Sequence, residues 1–230
     1  MSERSLTTKY QTLIHMPAYI YLHGFASSPK SSKAQYLRDR FSEIGLDLQV
    51  LDLNQGDFSH LTLTRQIQQA IATFPSGDMP VTLIGSSFGA LTAAWVAQQE
   101  ERVQNLVLLA PAFGFPQSWY ERLEPKQIQQ WRESGWLGIY HYGAQQEIPL
   151  HYQFLADADN YPLSSLTRSC PTLIIHGLND DVVPIQVSRD YQQSHSQVNL
   201  VELDSDHGLN NRQSKIWQLI QKFLNLPVDE

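Results

Sequence analysis

Cys170 is the chain's single cysteine in 230 residues, which excludes an internal disulfide. Followed by Pro171 and a β-branched run, its thiol reads as packed and inert, and a reducing, cytoplasmic setting is expected. No stretch approaches the roughly 20 apolar residues that cross a bilayer, so no membrane span is expected. Charged residues make up only 17% of the chain and the net charge is −7, with no basic stripe. A phosphate backbone would be repelled, so nucleic acid is not a partner. The eight histidines lack the helical or knuckle spacing of a metal site, and no metal or other cofactor is called for. Met1 to Met16 has neither an apolar signal core nor a small-residue cleavage site, so no secretory leader is expected. Repeats, low-complexity tracts and Gly/Ser/Pro-rich linkers are also lacking, and residues 1–230 read as one domain.

What the chain does have, from about residue 18 onward, is short apolar runs alternating with helix-period segments. That is the pattern of a mainly parallel α/β sheet covered by helices on both faces. Six strands are expected: Ala18 to Leu22, Leu48 to Leu53, Val81 to Ile84, Leu106 to Ala110, Thr172 to His176 and Asn199 to Leu203. Between them Leu37, Phe41 and Ile44 share a helical face, as do Ile67, Ala70, Ile71 and Phe74, and Ile216, Leu219, Ile220, Phe223 and Leu224.

The alternation stops from about Ala112 to Arg168, where aromatic residues crowd a segment that carries no strand signal. Residues 112–168 read as an insertion with at least one helix, because Pro125 suits a first turn, Ile128 and Trp131 share a face, and Gly135 stops it. It begins just past a strand's carboxyl end, where such sheets bind ligands, so it is expected to act as a lid over an acyl or aryl pocket, against the alternative that its aromatics only pack it onto the body. Trp119, Trp131 and Trp136 are its candidate substrate contacts.

Gly85-Ser86-Ser87-Phe88-Gly89 lies between the strand-like Val81-Thr82-Leu83-Ile84 and the helix-like run from Ala90 to Ala97. It is a G-x-S-x-G turn in the strand-to-helix context that a nucleophile elbow requires. Ser87 is the candidate nucleophile. A serine hydroxyl is weak at neutral pH, so the chain must supply a base, an acid to orient it and oxyanion donors.

The acid is expected where the strand ending in His176-Gly177 runs into Leu178-Asn179-Asp180-Asp181. Asp180 is the choice, with Asp181 its competitor unless that residue only charges the start of the following helix. The base is His207, in the polar loop Asp204-Ser205-Asp206-His207-Gly208 after the last strand. The order serine, acid, histidine, each after a separate strand, belongs to α/β-hydrolases rather than to the other triad-bearing folds. The backbone NH of Phe88 and that of Phe25, in the His23-Gly24-Phe25 turn after the first strand, are the candidate oxyanion donors. His23 is read as holding that turn and as a candidate on the substrate side. Lys30 and Lys33, among Ser27, Ser28, Ser31 and Ser32, are candidates for an anion-holding site, against a plain solvated helix start.

Together Leu22-His23-Gly24-Phe25, the serine turn, His176-Gly177-Leu178-Asn179-Asp180 and Asp206-His207-Gly208 resemble the α/β-hydrolase superfamily over nearly the whole chain. More narrowly, Tyr21 to Pro29 with Ser32-Lys33-Ala34 is similar to the small bacterial YqiA/YcfP-type esterases. The resemblance implies hydrolysis of a carboxylic ester or thioester, with Ser87, Asp180 and His207 on the superfamily's triad. The long aromatic insertion departs from the smallest members. The superfamily's eight-stranded sheet needs two strands before Ala18, more than Met1 to Pro17 holds, so a trimmed sheet is expected. Acyl transfer to another acceptor and C–C hydrolysis use similar triads, and a non-catalytic binder on the same scaffold is the alternative from another class.

Overall fold

A computed structural model describes residues 17–227. The expectation of a trimmed amino-terminal segment falls on residues 1–16, outside the described residues. From there the elements run β1 (Ala18–Leu22), α1 (Ser32–Glu43), β2 (Leu48–Leu51), α2 (Leu63–Ala72), β3 (Val81–Ser86), α3 (Phe88–Gln99) and β4 (Val103–Leu109). The insertion follows as α4 (Gln117–Arg122), α5 (Pro125–Ser134), β5 (Trp136–His141), β6 (Gln146–His151) and α6 (Gln153–Ala158). The chain then returns to the body through β7 (Thr172–Gly177), α7 (Gln186–Ser194), β8 (Val198–Leu203) and α8 (Gln213–Leu224).

Six strands form one sheet in the order β2-β1-β3-β4-β7-β8, and every neighbouring pair is parallel. Burial on both faces explains why these strands read as unbroken apolar runs: all six residues of β3, and all six of β7, are buried. On one face α1 and α8 bring Leu37, Phe41, Ile216, Trp217 and Ile220 against Tyr21, Ile84 and Ile175. On the other, α2 and α3 bring Ile67, Ala70 and Leu91 against Ile20, Leu83 and Leu108. Helix α3 is buried from Phe88 through Ala97, so it has no polar face and sits as a central helix rather than a surface one. Among the described residues no helix is long and apolar enough to cross a membrane.

Parallel pairing puts the carboxyl ends of β1, β3, β4, β7 and β8 at one edge. The insertion leaves from that edge after β4 and re-enters at β7. It is not strandless, which corrects the sequence expectation: β5 and β6 form an antiparallel hairpin with Leu137 opposite Leu150 and Ile139 opposite Ile148. The alternation was hidden because the outward face of β5 is also aromatic, carrying Trp136 and Tyr140. Helix α5 begins with Pro125 at its first position, and Gly135, at φ 81°, ends it in the left-handed conformation that glycine adopts without a Cβ clash. The hairpin tip bends back over the loop after β1, where the Gly143 NH donates to the Ala26 carbonyl at 3.3 Å.

Candidate active site

Ser87 stands between β3 and α3 with φ at 54°, a conformation that L side chains avoid. The turn is tight enough to demand its glycines. A Cβ on Gly85 would lie 2.5 Å from Ala90 Cα, and one on Gly89 would lie 2.2 Å from the Leu22 carbonyl oxygen. The second contact lets the end of β1 and its His23-Gly24-Phe25 turn lie directly against the start of α3.

Ser87, Asp180 and His207 meet at this edge. His207 Nε2 lies 3.0 Å from Ser87 Oγ, and its Nδ1 lies 2.7 Å from Asp180 Oδ2. The Asp180 side chain is 0% exposed and that of His207 22%. Burial alone would raise the Asp180 pKa. Hydrogen bonds from His176, His207 and the Val183 NH, with the charge on His207, outweigh it and hold the carboxyl well below the ordinary carboxylate range. Its Oδ1 accepts from the NH groups of Val182 and Val183 at 2.9 and 2.7 Å. With one oxygen fixed by the backbone, the other faces His207. Asp181 stands exposed beside it.

His176, wholly buried on β7, braces the same carboxylate: its Nε2 is 3.1 Å from Asp180 Oδ2 and 2.9 Å from the Val183 carbonyl. Ser188 Oγ lies 2.8 Å from His176 Nδ1. With Nε2–H donating to these two acceptors, Nδ1 accepts the serine hydroxyl.

The backbone NH groups of Phe25 and Phe88 donate to no protein group among the described residues. Phe88 is the first residue of α3, where an NH has no partner inside the helix and the helix dipole is positive. Both NH groups are thus uncommitted, and both residues line a cavity that Ser87 also borders.

A cavity of about 320 Å³ borders Ser87, lined by Phe25, Phe88, Ala112, Phe115, Trp119, Leu137, Ile139 and Phe154, with Arg122, Val182 and Val183 also in its lining. The rings pack on one another: Phe25 meets Trp119 edge-on at 5.2 Å, and Phe88 meets Phe115 edge-on at 5.2 Å. The Arg122 guanidinium ties α4 to the loop after β7 by hydrogen bonds to the Asp181 and Val182 carbonyls. A second cavity, about 290 Å³ and more polar, also borders Ser87; Lys33, Tyr142 and His207 are among its lining.

Of the side chains expected on the substrate side, Trp119 lines the first cavity and Lys33 the second. The others do not line either. Trp131 is 1% exposed and donates its indole NH to the Leu150 carbonyl at 2.9 Å, so it pins α5 to the hairpin. Trp136 is 43% exposed and packs edge-on against His60 and His151 on the outer face. Lys30 is exposed. His23 is buried behind the turn after β1, with Nδ1 2.9 Å from the Gly24 carbonyl and Nε2 accepting from the Leu53 NH at 3.1 Å. Burial lowers its pKa and keeps it neutral, so it holds the turn rather than a ligand. Leu137, Ile139 and Arg122 line the cavity without having been singled out; the hairpin alternation was the only signal for the first two.

The class of fold follows from this architecture and its likenesses. The chain is similar in structure to Est1E of Butyrivibrio proteoclasticus with bound ferulic acid, at TM-score 0.75 and 18% identity over 91% of this chain and 90% of that one. A putative hydrolase from Agrobacterium vitis S4 gives 0.79 at 21% identity, covering 90% and 87%. Mouse α/β hydrolase domain-containing protein 10 gives 0.73 at 21%, covering 90% of each. The fold is that of the α/β-hydrolases. The chain belongs to the uncharacterised protein family UPF0227, whose model matches residues 18–224. In sequence it is similar to the mouse and human mitochondrial palmitoyl-protein thioesterase ABHD10, 21% and 23% identical over 182 residues. That is 75% of this chain, but it spans only 61% and 60% of those two proteins.

Proposed function

We propose that the protein is a serine hydrolase that cleaves a carboxylic ester or thioester through an acyl-enzyme. The observation that carries the reading is the position of the His207 imidazole, within hydrogen-bond reach of an alcohol on one side and a buried carboxylate on the other. In the first half-reaction Ser87 Oγ attacks the carbonyl carbon as His207 Nε2 takes its proton. Asp180 fixes the imidazole tautomer and stabilises the imidazolium. The oxyanion that forms is held by the Phe25 and Phe88 NH groups. His207 then returns the proton to the departing oxygen or sulfur as its bond to carbon breaks. In the second half water attacks the acyl-serine, losing its proton to His207, and the acid leaves as Ser87 regains a proton.

The aromatic cavity beside Ser87 supports an apolar acyl or aryl group on the carbonyl side, and the insertion that roofs it is read as the lid. The palmitoyl-protein thioesterase name of the sequence relatives agrees with this substrate class. The reading includes a reducing, cytoplasmic setting, supported by the single buried thiol of Cys170. A panel of p-nitrophenyl esters and acyl thioesters tests it, run on wild type and on Ser87→Ala. Turnover lost in the variant is the expected result; no turnover by wild type on any member, or equal rates in both, overturns it.

A further inference from the structure

The two cavities share Ser87 and Phe25 but not His207, which borders only the polar one. That asymmetry assigns their contents. The group that leaves must sit beside the imidazole that protonates it, so the acyl part belongs in the aromatic cavity and the leaving group in the polar one.

Ser27, Ser31, Lys33, Tyr142 and Asn210 are among the residues that line the polar side with His207. Lys33 is half-buried there and has no ion pair within 4.0 Å among the described residues. Desolvation lowers its pKa to about 8, although the charges of Asp180 and Asp206 pull the other way. Neither carboxylate lies within 4.0 Å of the Lys33 ammonium. Asp180 is taken up by two histidines and two backbone NH groups. Asp206 Oδ1 accepts from the Leu209 NH at 3.1 Å. Ser31 stands at the start of α1 without making a side-chain cap, and the first turn of α1 carries no acid. A plain capped helix start therefore does not describe this corner. It is a cavity with a poorly solvated cation and uncommitted hydroxyl groups, opening on the reacting serine.

We propose that this polar cavity receives the leaving group and that the Lys33 ammonium selects leaving groups bearing a carboxylate or a phosphate. The inference rests on the hydrolase reading. It makes Lys33 a specificity residue, because a paired anion relieves the desolvated ammonium while a neutral leaving group does not.

The test compares butanoyl esters of 4-hydroxybenzoate, 4-hydroxyphenyl phosphate and 4-hydroxybenzamide, which share a scaffold and differ in the charge opposite the ester. Wild type is expected to favour the carboxylate, the phosphate or both over the amide in kcat/KM, and the pattern identifies which anion the site takes. In Lys33→Met that ratio falls about ten-fold or more, the yield of one charge-assisted hydrogen bond. Lys33→Arg retains most of it. Without any variant, the wild-type ratio is expected to decline as pH rises through about 8, where Lys33 loses its proton. Equal ratios in wild type and Lys33→Met, or a ratio flat across that pH range, overturn the inference while the amide ester still reports a working hydrolase. Failure of wild type to cleave any of the three overturns the hydrolase reading and this inference with it.

Discussion

His176 and Asp180 are joined at 3.1 Å with both side chains wholly buried, four residues apart across the end of β7. The carboxylate that orients His207 is thus itself held by a second imidazole. Replacing His176 with Leu removes that brace and leaves the Ser188 hydroxyl and the Val183 carbonyl without it. A drop in kcat of about 10- to 100-fold is expected, since small misplacements of a reacting group cost that much, with KM changed far less. Steady-state kinetics on a p-nitrophenyl ester, with circular dichroism to confirm folding, checks it.

Asp180 itself has a sharper expected effect. Asp180→Asn keeps the shape but no longer stabilises the imidazolium and favours the wrong tautomer, so kcat should fall by about 10³- to 10⁴-fold. Single-turnover acylation measures this directly.

The same carboxylate links stability to pH. Its folded pKa is depressed, so its contribution is fully present above the unfolded value, about 3.9, and is lost as pH falls from there toward the lower folded value. Wild type should therefore lose more unfolding free energy than Asp180→Asn between about pH 5 and the acid limit of folding. Urea melts across that range compare the two; parallel losses would contradict the linkage.

Crowding at the serine turn gives a test of the fold. Gly89→Ala places a methyl group 2.2 Å from the Leu22 carbonyl oxygen, where only backbone can give way. A loss above about 4 kcal/mol, or no soluble protein, is expected. Gly114→Ala, where a Cβ would meet nothing closer than 3.7 Å, is the control and should stay close to wild type.

Trp119 closes part of the aromatic cavity, packing on Phe25, Phe115 and Phe154. Truncation to Ala enlarges the space for the acyl group. The preferred chain length in a p-nitrophenyl ester series should move to longer or bulkier acyl groups, at a stability cost of about 3 kcal/mol.

Much of this was legible beforehand for physical reasons that differ from place to place. The strands were clear because a parallel sheet buried on both faces leaves uninterrupted runs such as Leu83-Ile84 and Ile174-Ile175. The serine turn was clear because backbone crowding permits only glycine at 85 and 89. The order of Ser87, Asp180 and His207 was readable since each follows its own strand, and the three lie together at one edge. The insertion was harder. Trp131 and Trp136 are five residues apart and equally apolar in sequence, yet one anchors α5 inside and the other lies on the outer face, a difference set by hairpin packing that no local pattern encodes. His23 reads from sequence as holding its turn and as a candidate on the substrate side, and its two nitrogens are spent on the Gly24 carbonyl and the Leu53 NH, thirty residues away. Lys33 drew attention only as part of a basic and hydroxyl-rich stretch; its place beside His207 depends on the β8 loop, far off in the chain.

The most direct measurement is the site of reaction with a fluorophosphonate. Intact-mass and peptide analysis should find one adduct per chain, on Ser87, formed more slowly in His207→Gln and absent from Ser87→Ala. An adduct on another residue, or equal labelling of wild type and Ser87→Ala, would contradict the assignment of Ser87 as the nucleophile.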